Sequence, residues 1–263
     1  SPSHLRTDNL KALTLYWQGQ ALFDGRTPDG VRKAREYLTK SIEVDSNFAQ
    51  AHIALAEVYN TYAIGNLGDY RPSEYYPQER SHAEHALVLD PGAADAHAIL
   101  GAVRLLFEFD WVGAEAELKQ ALELNPRSAN AHLWLGTLYG FTGRSDAGVT
   151  SALEGLSVDP RSLYANVEVG RALILDRKYD LAAERFKQLI ERDSNAVRSH
   201  LLLGQVFEQT GKYDSAVVEM QTAIRLAPRS SRVLAYLAHA HALAGDTIGA
   251  VHGLDLLLER SRT

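Results

Sequence analysis

The sequence predicts an all-α fold, an α-solenoid of about seven helix-turn-helix repeats forming one domain over residues 1–263. Three observations carry that prediction. Segments starting at Ala94, Ala129, Leu163, Val197 and Ser231 are separated by 35, 34, 34 and 34 residues. Apolar residues within them fall at helical spacing, glycine and proline gather at the boundaries, and no stretch alternates with period two. The eighth residue of every copy is small: Gly19, Ala56, Gly101, Gly136, Gly170, Gly204 and Ala238.

The elements follow in order. The first two copies start near Ala12 and Ala49, with longer gaps of 37 and 45 residues. Their extra residues fall between helices, at Arg26–Gly30 and roughly at Gly65–Tyr76. The fourth copy shows the plan most plainly. Its first helix runs over Ala129–Phe141 and stops at Gly143, where glycine can take the left-handed conformation that closes a helix. Its second helix runs from Ser145 to Val158 and ends at Asp159-Pro160, because proline cannot continue the hydrogen-bond ladder. Small residues at the eighth place let the two antiparallel helices approach. The twentieth place (Ala34, Ala114, Gly148, Ala182, Ala216, Ala250) faces the first helix of the same copy. One hairpin cannot bury its apolar face alone, so stacking makes the core.

Composition narrows function. Hydrophobic residues make up 46% and charged residues 23%, too apolar a mixture for disorder. Zero cysteines exclude a disulfide framework, a thiolate metal site and a cysteine nucleophile. A net charge of -6 argues against a nucleic-acid partner for this segment. No run of about 18 apolar residues exists, so no membrane span is expected. The chain opens Ser1-Pro2-Ser3-His4 without methionine and reads as a segment of a longer protein, cytoplasmic by default.

The repeat pattern resembles the tetratricopeptide (TPR) family, and the resemblance implies a right-handed superhelix. The closest matches to its motif are Leu135-Gly136-x-x-Tyr139 and Leu203-Gly204-x-x-Phe207, the latter followed by Tyr213-x-x-Ala216. Ser46 and Ser194 stand where the family closes a copy with proline. A narrower resemblance runs through Leu15-Tyr16, Arg26-Thr27-Pro28, Asp110-Trp111-x-Gly-Ala114-Glu115 and Ala131-His132. It is to the TPR region of multidomain bacterial regulators, where such a region follows a DNA-binding, kinase or cyclase module. The resemblance implies a regulatory, signalling arm.

A two-helix solenoid presents a concave face lined by its first helices. By repeat position the groove candidates are Glu57, Asn60, Trp134, Arg171, Gln205, Gln209, Tyr236 and His239. Trp134 and Tyr236 are the expected anchors, with Arg171 and the amides orienting a peptide. The family's two-carboxylate clamp is incomplete here: the matching places hold Tyr16 and Gln20, Arg198 and Leu202, or Arg232 and Tyr236. Five of the twelve tyrosines gather in and beside the second insert, and Tyr70, Tyr75 and Tyr76 are a candidate second surface. The competing reading is that these tyrosines plug a local groove.

Ten histidines raise the question of metal. His52, His97, His132 and His200 share the fourth place of their copies, about 10 Å apart at usual helix packing distances, too far to share one ion. They are expected to pack, and no metal or cofactor is assigned. His82 and His85 share a helix face, and His239 and His241 do not. No phosphate loop, dinucleotide turn or nucleophile elbow occurs, so no enzyme activity is expected.

The expected function is noncatalytic binding of a protein or peptide in the concave groove. Two alternatives stand beside it: a homo-oligomerisation module and a small-molecule sensor. Val251, Leu254, Leu257 and Leu258 on the last helix make self-association through the C-terminal end the route to the first.

Overall fold

A computed structural model of the chain describes residues 7–24, 27–64 and 72–262. Fourteen α-helices occur among them and no strand. In chain order they are α1 (Leu10–Asp24), α2 (Pro28–Val44), α3 (Ala49–Ala63), α4 (Pro72–Leu89), α5 (Ala94–Val103), α6 (Trp111–Leu124) and α7 (Ala129–Phe141). Then come α8 (Ser145–Val158), α9 (Leu163–Leu175), α10 (Tyr179–Arg192), α11 (Val197–Gln209), α12 (Tyr213–Leu226), α13 (Ser231–Leu243) and α14 (Thr247–Arg260). Odd and even helices pair into the seven hairpins that the repeat predicts. No helix among the described residues is long and apolar enough to cross a membrane.

The extra residues find local solutions. Pro28–Gly30 form the first turn of α2 rather than a loop, capped by the Thr27 hydroxyl, which accepts from the Gly30 N–H at 3.1 Å. The one-residue excess of the third copy is absorbed by a π-helical turn, Arg104–Glu108, that continues α5. Helix α4 starts at Pro72, so Tyr75 and Tyr76 are helical residues, not loop residues. Tyr70 lies outside the described residues.

The packing reason for the small eighth residue is direct. A Cβ built on Gly19, Gly101, Gly170 or Gly204 would stand 2.7, 2.6, 2.5 or 2.9 Å from Leu38, Leu118, Phe186 or Met220 respectively. Each of those side chains comes from the second helix of the same hairpin and is fully buried. The twentieth residue is there too: the carbonyls of Ala34, Ala114 and Ala216 lie 3.3–3.4 Å from the same built atoms. The last hairpin differs. Ala238 faces Gly253, and Leu254, at the place of Phe186 and Met220, is 54% exposed.

The turn inside the hairpins recurs at one place with positive φ: Phe109 (57°), Gly143 (77°), Arg177 (57°), Gly211 (73°) and Gly245 (80°). Glycine takes this conformation freely, whereas a side chain there costs about 1–2 kcal/mol. The turn between hairpins has its own device. In four copies the residue at the fourth place of the next first helix donates to a carbonyl six residues back. His52, His132 and His200 do so through Nε2, to Ser46, Pro126 and Ser194 at 3.1, 3.0 and 3.1 Å. Asn166 does so through Nδ2, to Pro160 at 3.1 Å. His52, His132 and His200 are therefore turn latches, whereas Nδ1 of His97 bonds Glu117 at 2.7 Å.

Contacts divide the described residues into two compact units, the first ending at Trp134 and the second beginning at Leu135.

A candidate peptide-binding cleft

The second unit contains a cleft of about 410 Å³ built from three successive hairpins. Four of the residues proposed from repeat position meet there: Gln205 and Gln209 on α11, Tyr236 and His239 on α13. The end of α9 adds Ile174 and Leu175, the turn after it adds Arg177, the first residue of α10 is Tyr179, and α11 adds Glu208. The walls thus combine two aliphatic side chains with two amides, two phenols and one charge of each sign.

Glu208 is the buried polar group of this cleft. Its side chain is 6% exposed, and Oε1 accepts from Nδ1 of His239 at 3.1 Å. His239 itself is 61% exposed. Burial pushes the Glu208 carboxyl up, and the His239 ring draws it part of the way back. Tyr236 also packs on the core of Leu201, Met220 and Val233, which fixes its ring beside the cleft. Arg177 is exposed and holds the left-handed turn conformation that Gly143, Gly211 and Gly245 hold elsewhere.

Arg171 has a different environment. Its Nε donates to Glu168 at 2.7 Å, and its guanidinium also contacts Glu168 and the Thr137 hydroxyl. Arg198 closes the cluster by pairing with Glu168 and lying 5.7 Å from the Tyr164 ring centre. Burial alone would raise the Glu168 carboxyl, but the two guanidiniums outweigh it and hold it low. Arg171 is thus engaged inside the unit rather than extended toward a peptide.

The candidates of the first unit are also engaged. Glu57 Oε1 accepts from Asn130 Nδ2 at 3.2 Å, and Asn60 Nδ2 donates to Glu79 Oε1 at 2.9 Å. Trp134 is 7% exposed, a core side chain rather than a presented anchor. Tyr75 and Tyr76, at 7% and 4% exposure, pack with Ala63 and Val103. They fill the hairpin, and the expected second surface is corrected to that extent.

Three histidines of this unit, His52, His82 and His85, form a packed group. His52 donates from Nε2 to a carbonyl, so its Nδ1 must accept, and the donor is Nδ1 of His82 at 3.0 Å. The His85 ring centre is 4.4 Å from that of His52, and Tyr59 stacks on His82 at 5.7 Å. Burial, then the neighbouring rings, lower His82 to about 4. No group of three His, Cys, Asp or Glu that could hold a metal ion occurs among the described residues.

Repeat reasoning missed Glu208 and Arg177, and both left a signal. Glu208 stands at the twelfth place of its copy, as Asn60 does in its own. Arg177 breaks the glycine series at the hairpin turn.

Residues 168–231, across α9 to α13, match the family model of the tetratricopeptide repeat. Anaphase-promoting complex subunit 3 of Dictyostelium discoideum is 24% identical over 116 residues, 44% of this chain and 12% of that protein. A chain of the human IFIT1 dimer with PPP-AAAA superposes with a TM-score of 0.66 at 18% identity, over 86% of this chain and 56% of that one. A chain of the APC/C hetero-tetramer Cut9-Hcn1 gives 0.63 at 17% identity, over 88% and 42%. This chain therefore spans less than two thirds of the length of each. At such identities the likeness is one of fold, and it extends the repeat architecture well beyond the residues the family model matches.

Proposed function

We propose that the chain is a noncatalytic scaffold that binds a peptide or an extended protein segment in the cleft formed by α9, α11 and α13. One observation carries the reading: three successive hairpins bring Gln205, Gln209, Tyr236 and His239 to one concavity with an aliphatic wall. Side-chain amides can donate to and accept from an extended backbone, and phenol rings offer area at low entropic cost. The proposed setting is the interaction arm of a larger cytoplasmic bacterial regulator, after the resemblance noted in the sequence. Panning a random nonapeptide display library against the chain tests the binding claim. Enriched peptides should lose about tenfold in affinity against a Gln205→Ala/Gln209→Ala variant of unchanged helical content. Enriched peptides that bind this variant as well as wild type would remove the cleft from the account.

A second reading, self-association, is supported by the last helix. Ile248, Val251, Leu254 and Leu258 form an exposed apolar stripe on α14. Sedimentation at two concentrations tests it: a growing dimer fraction supports it, and a monomer at the higher concentration removes it.

A further inference from the structure

We infer that the cleft selects peptides carrying a basic side chain, with Glu208 as the group that receives the cation. The inference rests on the peptide-binding reading and names the chemistry of its ligand. Glu208 is a cleft-lining carboxylate whose side chain is more than nine-tenths buried. Only one of its oxygens is used: Oε1 takes the His239 contact, and Oε2 has no hydrogen-bond partner among the described residues. That oxygen is not enclosed, so it opens to the cleft, where an entering ammonium or guanidinium can form a charge-assisted hydrogen bond with it. The present partner does not block the way. His239 sits on an exposed ring that can swing outward or stay beside the incoming cation.

The surroundings suit a long basic side chain. Ile174 and Leu175 offer an apolar wall for its methylene stem. Tyr179 and Tyr236 place phenol rings on the same cleft, where aromatic faces favour cations. The Gln205 and Gln209 amide oxygens add acceptors for the N–H groups that Glu208 does not take. Arg177, exposed on the turn, is the one cation of fixed charge on the cleft wall and opposes a second positive charge at that end.

The test starts from the panned nonapeptide library. Enriched peptides are expected to share an arginine or lysine. Resynthesis with citrulline for arginine, or norleucine for lysine, should weaken binding to wild type by about tenfold or more. Glu208→Gln should remove most of that difference between the charged peptides and their neutral analogues. Enriched peptides that lack a basic residue, or that bind equally well after neutralisation, overturn the inference and leave peptide binding standing. Persistence of the full basic preference in a folded Glu208→Gln protein overturns the assignment to Glu208. A library that yields no binder sinks both. The comparison of charged and neutral peptides on wild type does not depend on how the variant folds.

Discussion

The α3–α4 hairpin and the α9–α11–α13 cleft hold the same kinds of residue and use them in opposite ways. In the hairpin, His52 and His82 bond each other, Asn60 bonds the buried Glu79, and Tyr75 and Tyr76 fill the core. In the cleft, the tyrosines and amides line an open concavity, and Glu208 keeps one oxygen unbonded. Residue type therefore does not mark the site. What separates the two is which helix face the repeat position presents, and whether neighbouring side chains engage it fully. Arg171 shows the rule within one unit: it has a groove position, yet Glu168 and Thr137 hold it.

The contrast can be broken most strongly by truncating the hairpin. Tyr76→Ala should cost about 3–5 kcal/mol of stability, as for large buried aromatics elsewhere, with no direct effect on peptide affinity. Denaturant unfolding and peptide titration on the same sample separate the two. Gln205→Ala/Gln209→Ala should give the reverse pattern, about 1–2 kcal/mol of lost binding with unfolding nearly unchanged.

Acid should act on the hairpin selectively. His82 stands where Glu117 and Glu219 stand in other copies, and those carboxylates bond His97 at 2.7 Å and His200 at 2.6 Å. His52 is also lowered by burial, and His82 lies at about 4 against an ordinary 6.5. The unfolded chain therefore binds more protons than the folded one, so the contribution is present above about 6.5 and is lost as pH falls toward about 4. His82→Glu should give His52 a carboxylate partner of the kind seen in the other copies and remove that loss. Thermal melts between pH 7 and 5 read the difference, about 2–4 °C per kcal/mol for a chain of this size. Glu79 carries the opposite sign. Burial raises its carboxyl well above 4.5, against the Asn60 bond, so its contribution is full below that value and is lost as pH rises. Glu79→Gln should flatten the alkaline side of the stability curve and leave the histidine limb intact.

The smallest expected effect is at Arg177. Arg177→Gly should restore the glycine of the other turns and stabilise the fold by about 0.5–1 kcal/mol. A loss of stability there would mean that the side chain has a structural role that its left-handed backbone hides.

The hairpins were legible because a 34-residue rhythm of small residues has one physical cause, the close approach of Gly170 to Phe186 and of Gly204 to Met220. In the last copy the small eighth residue is kept, but Ala238 meets Gly253 while Leu254, at the place of the large partner, is exposed. Four of the nine residues lining the cleft were legible for the same reason, since Gln205, Gln209, Tyr236 and His239 follow from position. Glu57, Asn60, Trp134 and Arg171 follow from position too, but their engagement depends on partners such as Asn130, Glu79 and Thr137, distant in sequence. The role of Tyr75 and Tyr76 turned on where α4 begins, and proline at position 72 could open either a helix or a loop.

The central claim, that a peptide is held by the cleft and not by the tyrosine-rich hairpin, is tested most directly by amide hydrogen exchange with a saturating library-selected peptide. The account predicts slowed exchange in segments covering 174–179, 205–209 and 236–239, with 52–63 and 75–85 unchanged. Slowing confined to 52–63 and 75–85 would contradict it.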